Sequence, residues 1–196
     1  MFVSTFTGSI VDPALGAHVI VNASNPGVEL GSGVSGAIRD ACGGAAFQAN
    51  LKEAWDDEFG EPMTPDDCLV TSGGTAAHIR WVLHVPAVDY KHRDPETGRA
   101  TGPTRVTTCT RSLLREAAQL AHEHDLQQEL VVGVVLLGAG AGGLGEVDSA
   151  DAMMSAIRAA CEAGSPIKEL RFAVLKNESA RVVLLAARHH GVPVRE

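Results

Sequence analysis

Short apolar runs alternate along the chain with segments whose apolar residues recur at helical spacing. Residues 130–137 form an unbroken apolar run, as expected for a strand that is buried on both faces. In the segment 105–124, Leu113, Ala117 and Ala121 fall on one helical face. The pattern predicts strands at 18–22, 68–72, 81–85, 130–137 and 169–175, and helices at 35–42, 45–59, 105–124, from Asp148 or Ser149 onward, and at 177–189.

This alternation of strands and helices indicates an α/β fold. The strands at 68–72 and 81–85 flank Gly73 and Gly74 and can pair as a hairpin, whereas strands joined by helices should run parallel. We therefore predict a three-layer α/β/α sandwich with a central mixed, mostly parallel sheet. No internal stretch has the composition of a linker, so residues 1–196 are expected to form a single domain.

Composition and charge argue against several classes of protein. The chain is 45% hydrophobic and carries 16 Lys and Arg against 24 Asp and Glu, which gives a formal charge of -8. That balance, without any basic block, disfavours binding to a nucleic-acid backbone. No apolar run reaches the roughly 20 residues of a membrane span, and the N-terminus lacks a secretory pattern. The four cysteines are widely spaced, which suggests reduced thiols and a cytoplasmic protein.

Glycine is concentrated in two places, each between a predicted strand and a predicted helix. The first is the string VNASNPGVELGSGVSGAI from Val21 to Ile38, and the second is LLGAGAGGLG from Leu136 to Gly145. Small residues let a ligand approach the backbone, and the exposed N–H groups of a helix N-terminus attract anions. Neither string contains Lys or Arg, so a bound diphosphate would be held mainly by backbone N–H groups.

Other interpretations of these residues remain open from the sequence. The run that begins at Gly138 matches the G-x-G-x-x-G dinucleotide fingerprint, although so dense a glycine run can match it by chance. Asn22 and Asn25 could be turn residues that satisfy local backbone groups. His84 lies in an apolar strand and suggests a hydrogen-bonded core histidine. The polar segment 89–103 suggests a surface loop that is either functional or merely flexible.

Together the two strings resemble the signature of the macro domain family. In that family a strand ending in VNAAN leads into a glycine-rich loop and a short helix, and a later strand leads into Gly-Thr-Gly-x-x-Gly. Residues 21–25 read VNASN and residues 138–143 read GAGAGG, in the same order and with matching elements between them. The resemblance extends from about Val3 to His189, and it implies an α/β/α fold with ADP-ribose lying across the strand ends.

The resemblance also implies roles for individual residues. Asn25 would contact the distal ribose and is the one candidate catalytic residue, and Asn22 is a further candidate ligand contact. The first string would wrap the diphosphate through Gly31, Ser32, Gly33, Val34 and Ser35. The second string would close over it through Gly138, Ala139, Gly140, Ala141, Gly142, Gly143 and Leu144. At the adenine end the corresponding residues are Ser9, Ile10, Leu175 and Asn177.

The adenine end departs from the family pattern. Many members carry Gly-Asp-Ile, whose Asp accepts a hydrogen bond from the adenine amino group, where this chain has Ser9 between Gly8 and Ile10. Asp12 is the nearest acidic residue that could substitute. Leu175 stands in the region where the family often places an aromatic under the base. We therefore expect the selectivity for adenine to be relaxed.

The catalytic end departs as well. Ser35 and Arg39 stand where the related mono-ADP-ribosyl hydrolases have Asp and His, and the first string lacks the lysine of a second catalytic branch. Loss of a general base slows a reaction by about a hundredfold to ten-thousandfold. We expect binding of ADP-ribose or an ADP-ribosylated substrate, with hydrolysis or deacetylation of O-acetyl-ADP-ribose slow if present, and neither metal nor cofactor. The alternatives are a non-catalytic ADP-ribose or nucleotide sensor and, more remotely, an NAD-dependent oxidoreductase.

Overall fold

A six-stranded sheet forms the centre of the molecule, and the computed structural model describes residues 1–195. The strands are β1 Phe2–Thr7, β2 Val19–Ala23, β3 Leu69–Ser72, β4 Trp81–Val85, β5 Val131–Val134 and β6 Glu169–Val174. They run in the spatial order β1-β6-β5-β2-β4-β3, and every neighbouring pair is parallel except β3 with β4. The predicted mixed, mostly parallel sheet with its single hairpin is therefore confirmed.

Helices cover both faces of this sheet. The helices are α1 Gly33–Cys42, α2 Ala45–Glu58, α3 Pro103–Glu123, α4 Glu146–Glu162 and α5 Asn177–His189, with a short 3-10 turn at Pro13–Leu15. Alternate residues of β2 face opposite cores, because successive side chains of a strand point to opposite sides. Val19 and Val21 join the core under α3, α4 and α5, whereas Ile20 joins the core under α1 and α2. The three predicted layers are thus present.

Several elements begin or end one or two residues away from the sequence predictions, and three differences have a clear physical reason. β1 forms at Phe2–Thr7, where the sequence predicts no strand because this stretch mixes polar and apolar residues. It pairs with β6 and, through one isolated bridge at Val3, with Val194. β5 ends at Val134 instead of continuing to 137, since residues 135–145 turn away from the sheet. α4 begins at Glu146, ahead of Asp148 and Ser149. Ser149 does not cap the helix, because its buried hydroxyl donates to the carbonyl of Leu137 at 2.8 Å.

No helix among residues 1–195 is long and apolar enough to cross a membrane. The longest helix, α3, buries one face against the sheet and against α4, and its other face carries charged residues such as Arg111, Arg115 and Glu123. Amphipathic helices of this kind pack on a protein core.

A buried carboxylate ties the edge strand β1 to the rest of the sheet. Glu169 is 2% exposed, and it accepts hydrogen bonds from the Ser4 hydroxyl at 2.5 Å and from Nε of Arg171 at 2.7 Å. The Arg171 guanidinium also donates to the carbonyl of Leu15. Burial alone would raise the pKa of Glu169, but the hydrogen bonds from Arg171 and Ser4, with the charges of Arg171 and Arg195, hold that pKa below its usual value.

We predict that Glu169→Gln lowers the free energy of unfolding by about 1 to 3 kcal/mol near neutral pH, because Arg171 loses a charged acceptor. The control Glu162→Gln removes the exposed ion pair with Arg158 and should cost less than about 0.5 kcal/mol. Urea unfolding of the three proteins measures both changes.

The pH dependence gives a second check of the same variant. The carboxylate is stabilising only while it is ionised, and its pKa is lowered by folding. The difference between wild type and Glu169→Gln should therefore be complete above the usual pKa of 4.5 and shrink as the pH falls further. A difference that stayed constant down to about pH 3 would contradict this assignment.

Candidate functional site

The carboxyl ends of five parallel strands lie along one edge of the sheet. β2 and β5 are neighbours there, so the first loop (residues 24–32, leading to α1) and the second loop (residues 135–145, leading to α4) start side by side. The segments that follow β1 and β6 lie at one end of this edge, and the segment that follows β4 lies at the other. Open α/β sheets bind ligands at this edge.

Five successive backbone N–H groups, where the first loop enters α1, have no hydrogen-bond partner within residues 1–195. Three of these five residues are exposed, and Gly33 has a φ of 61°, which glycine adopts without strain. Unpaired N–H groups at a helix N-terminus attract anions. The five residues are Gly31, Ser32, Gly33, Val34 and Ser35, the ones predicted to wrap the diphosphate.

Side chains from α1 and α2 hold the first loop without occupying those donors. Gln48 accepts from the N–H of Leu30 at 2.7 Å and donates to the carbonyl of Val28 at 3.1 Å. Arg39 donates to the carbonyl of Leu30 at 2.9 Å. The sequence analysis missed Gln48, which stands in no motif, and it noted Arg39 only as a departure from the family pattern.

Asn25 closes a turn within the first loop. Its Nδ2 donates to the carbonyl of Glu29 at 2.9 Å, and its Oδ1 accepts from the N–H of Gly27 at 3.0 Å. An Asn side chain that bonds to its own following backbone is a common turn device. Asn25 therefore serves as a turn residue in this structure, and its contact with a ribose stays a prediction.

Asn22 lies beneath the first loop and belongs to a chain of hydrogen bonds that is buried at its centre. Its side chain is fully buried; Oδ1 accepts from the Ser35 hydroxyl at 2.8 Å, and Nδ2 donates to Nδ1 of His84 at 3.0 Å. Because Nδ1 of His84 must then accept, Nε2 carries the hydrogen and donates to Oγ1 of Thr71 at 2.9 Å. Asn22 thus positions Ser35. Although the sequence predicts Asn22 as a ligand contact, its buried side chain does not reach the crevice surface.

The second loop is a closed ring. The N–H of Leu144 closes the ring by donating to the carbonyl of Gly138 at 3.1 Å. Within the ring, the N–H of Gly143 donates to the carbonyl of Gly140 at 3.0 Å. The N–H groups of Gly140, Ala141 and Gly142 have no partner within residues 1–195. Ala139 is partly engaged, because its N–H donates to the carbonyl of Leu136 at 3.3 Å. The side chain of Leu144 is buried, so this residue contributes backbone only.

The segment that follows β4 packs directly on the second loop. A Cβ at Gly138 would lie 2.6 Å from Cγ2 of Thr101, and a Cβ at Gly142 would lie 2.8 Å from Cγ1 of Val88. Arg99 also donates from Nη1 to the carbonyl of Leu144 at 3.0 Å. The part of this segment that the sequence analysis left as functional or flexible, residues 89–103, therefore supports the candidate site. No local motif signals this contact.

The segment after β1 turns sharply beside the crevice. Ser9 is half-buried, with its hydroxyl 3.4 Å from the N–H of Val11, and Ile10 is buried in the core under α1 and α2. Asp12 caps the 3-10 turn by accepting from the N–H of Ala14 at 2.9 Å through Oδ1. Its second oxygen, Oδ2, has no partner within the described residues.

The neighbouring segment after β6 offers no aromatic surface. Leu175 is 80% exposed, and Asn177 accepts at 3.3 Å from the Thr7 hydroxyl through Oδ1. β1 carries an aromatic beside Gly8: the half-buried ring of Phe6 lies against this glycine and packs on the core under α1 and α2. Phe6 lies in a strand that the sequence does not predict.

Other concave or polar features lie outside the two loops. A cavity of about 470 Å³ opens between α2 and β3 and is lined by residues such as Phe47, Leu51 and Val70. A group that could hold a metal ion, Asp151 with His189 and His190, lies on α4 and at the end of α5. Neither feature includes the unpaired backbone N–H groups of the two loops, which are the donors that suit a phosphate.

We predict that His84 stays neutral throughout the physiological range. Burial lowers its pKa to about 3, whereas an exposed histidine titrates near 6.5. The ring nitrogen and carbon shifts of His84 in NMR spectra should remain constant from about pH 4.5 to pH 8 and indicate the tautomer with hydrogen on Nε2. A titration of these signals near pH 6.5 would contradict the buried chain of hydrogen bonds.

A substitution at Gly142 tests the packing of the second loop. The added methyl of Gly142→Ala would lie 2.6 Å from the carbonyl oxygen of Gly138, so we expect a loss of about 1 to 3 kcal/mol in the free energy of unfolding. Gly140→Ala meets nothing within 4 Å and should cost less than about 0.5 kcal/mol. Equal urea midpoints for the two variants would show that the loop is not packed in this way.

Solved structures share this architecture. A mutant of the Oceanobacillus iheyensis macrodomain with ADPR is 19% identical, covers 94% of this chain and 91% of that chain, and has a TM-score of 0.76. The Trypanosoma brucei macrodomain in complex with ADP-ribose is 23% identical, covers 93% of this chain and 67% of that chain, and has a TM-score of 0.67. At these identities the likeness establishes the fold. No curated protein sequence matches the chain significantly.

A family comparison settles the relationship that the two glycine-rich strings indicate. The family model described as Macro domain matches residues 21–153. This span is more than half of the chain, begins within β2 and includes both loops and the 89–103 segment. The chain belongs to the macro domain family.

Proposed function

We propose that this macro domain binds ADP-ribose or a close derivative across the first and second loops. The observation that carries the proposal is the pair of unpaired N–H runs, at 31–35 and at 140–142, on loops that follow neighbouring strands. A diphosphate presents two adjacent anionic groups, and oriented N–H groups bind such anions without a cationic side chain. Macrodomains of the same fold have been solved with ADPR and with ADP-ribose.

Unpaired hydrogen-bond donors and acceptors around the crevice suggest how each end of the ligand is held. The Asn25 amide nitrogen carries two hydrogens, of which the carbonyl of Glu29 takes one, so the other is left for a ribose hydroxyl. At the opposite end, Oδ2 of Asp12 is free to accept from an adenine amino group. Phe6 supplies an aromatic at this end in place of Leu175. These contacts are part of the proposal.

We extend the proposal to slow hydrolysis of ADP-ribosyl esters, and of O-acetyl-ADP-ribose by a related water attack. In an ADP-ribosyl ester, water would add to the anomeric carbon of the distal ribose, the bond to the carboxylate oxygen would break, and the proton would pass to a diphosphate oxygen. In O-acetyl-ADP-ribose, water would add to the acetyl carbonyl carbon and the bond to the ribose oxygen would break, which gives acetate and a ribose hydroxyl, with the remaining proton passing to a diphosphate oxygen. The Ser35 hydroxyl donates to Asn22, so its lone pairs can accept from this water but cannot remove its proton at neutral pH. The rate should be about a hundredfold to ten-thousandfold below that with a general base.

Three further aspects of the biology belong to this proposal. The cysteines are free, and burial raises the pKa of Cys42 to about 11 and that of Cys109 to about 12, which keeps them protonated. Such thiols suit a reducing compartment, so we propose a cytoplasmic protein. We also propose that residues 1–196 act as one domain and, given the charge of -8, that the partner is a nucleotide or modified protein and not a nucleic-acid backbone.

A calorimetric titration with ADP-ribose tests the binding, with AMP and NAD as competitors. We expect micromolar affinity for ADP-ribose and much weaker competition by AMP, because AMP lacks the second phosphate and the distal ribose. Asn25→Ala should weaken ADP-ribose by about tenfold, while Asn50→Ala, an exposed asparagine on α2, should leave it unchanged. Absence of binding by wild type would refute the proposed function.

Turnover needs a separate assay. We expect wild type to release ADP-ribose from ADP-ribosylated glutamate or aspartate over hours, and Asn25→Ala to release it more slowly. Binding without release, or identical release by the two proteins, would favour the non-catalytic sensor. Hydride transfer to or from a nicotinamide cofactor would instead favour the oxidoreductase.

A further inference from the structure

The 89–103 segment between β4 and α3 is held in a defined shape by its own hydrogen bonds. The N–H of Asp89 donates to the carbonyl of Ala100 at 2.6 Å, and that of Asp94 donates to the carbonyl of Arg99 at 2.9 Å. The Asp94 carboxylate also accepts from the N–H of Thr97 at 2.8 Å and from its hydroxyl at 2.9 Å. These bonds fold the segment back on itself and thereby fix the backbone position from which the Arg99 side chain extends.

Buried charge anchors the base of the segment. Asp89 is 7% exposed, and its carboxylate accepts from the N–H groups of Lys91 and His92, each at 3.0 Å. A guanidinium nitrogen of Arg105 on α3 lies 3.7 Å from the same carboxylate, and Arg105 donates to the carbonyl of Pro86 at 3.0 Å. The segment is therefore fastened to α3, and Arg105 joins α3 to Pro86, the residue that follows β4.

The Arg99 side chain lies along the second loop. Its Nη1 donates to the carbonyl of Leu144 at 3.0 Å, and its Cδ lies 3.7 Å from the place where a Cβ of Gly143 would be. The other guanidinium N–H groups of Arg99 have no partner within the described part of the chain, and the residue is exposed. A guanidinium has five N–H donors, so four remain for a ligand.

This position matters because neither loop carries a cation of its own. Residues 24–36 and 135–145 contain no Lys or Arg, and the whole chain has a formal charge of -8. A diphosphate on the second loop would therefore meet backbone dipoles and, beside them, the Arg99 guanidinium. Guanidinium groups bind phosphate oxygens through two parallel hydrogen bonds and remain charged at any physiological pH.

We propose that Arg99 is a phosphate-binding residue, supplied to the second loop by the 89–103 segment, and that it selects nucleoside diphosphates over ligands without a diphosphate. One N–H stays on the carbonyl of Leu144 and orients the guanidinium, and the free N–H groups donate to the diphosphate. The inference rests on the proposed binding of ADP-ribose and adds the residue that neutralises its charge.

Titrations of Arg99→Gln and Arg93→Gln with ADP-ribose, ADP and adenosine test this proposal. Arg93 is a matched control, because it is exposed on the same segment and its Nη1 donates to the carbonyl of Gly98 within that segment. We expect Arg99→Gln to weaken ADP-ribose and ADP by about tenfold each, to leave adenosine unchanged, and to reduce the salt dependence of binding. Arg93→Gln should stay within about twofold of wild type.

A purely structural role of Arg99 gives a different result. If Arg99 only supports the loop, Arg99→Gln would weaken adenosine as much as ADP-ribose and increase amide hydrogen exchange at 138–144. An equal loss of affinity for adenosine and for ADP-ribose overturns the phosphate contact, and faster exchange alongside it assigns the loss to the loop. Arg99→Lys keeps the charge without the planar fork, and it should recover part of the lost affinity for ADP-ribose but less than wild type shows.

The remaining outcomes separate this inference from the proposed function. Equal ADP-ribose affinities for Arg99→Gln and Arg93→Gln, with tight binding by wild type, would overturn the role of Arg99 and leave the proposed function intact. Failure of wild type to bind either ADP-ribose or ADP would overturn both.

Discussion

The site depends on backbone N–H groups that stay unpaired and yet are held in place. Eight such groups lie near the carboxyl edge of the sheet, at 31–35, where the first loop enters α1, and at 140–142 in the second loop. Most loops order themselves by pairing their own N–H groups, which would remove these donors. Here the loops are fixed largely through their carbonyls, to which Gln48, Arg39 and Ser149 donate. The N–H groups consequently remain oriented and available.

The same constraint explains why glycine is needed at particular positions. Gly36 packs so closely on the first loop that a Cβ would lie 3.0 Å from the carbonyl oxygen of Gly31, and Gly142 is still closer to Gly138. Each contact brings one part of the backbone against another with no side chain between them. Because no side chains separate these backbone segments, a ligand on the outer surface of either loop would meet main-chain atoms first. Gln48 of α2 supports the first loop, and the 89–103 segment supports the second.

A chain of polar side chains below the first loop also holds the start of α1 in place, here through side-chain hydrogen bonds. Hydrogen bonds connect, in order, Ser35 of α1, Asn22 of β2, His84 of β4 and Thr71 of β3. All four side chains are uncharged at neutral pH, because burial holds His84 in its neutral form. A buried charge would require a partner of opposite charge, whereas a neutral chain of hydrogen-bonded side chains does not. The start of α1 is thereby fastened to the sheet, and the Ser35 oxygen is turned into an acceptor.

The sequence by itself determined the features that rest on local pattern. Strand-length apolar runs, helical periodicity and two glycine-rich strings identified the α/β sandwich, the hairpin, the family and the two loops, because each is encoded within a few neighbouring residues. Only the tertiary structure decided that Asn22 is buried, that β1 completes the sheet, and that Gln48, Thr101 and Arg99 support the loops. Those contacts join distant parts of the chain: Arg99 meets a residue 45 positions away. Contacts of this kind leave no periodicity or motif in the sequence, since they depend on how separate elements are packed.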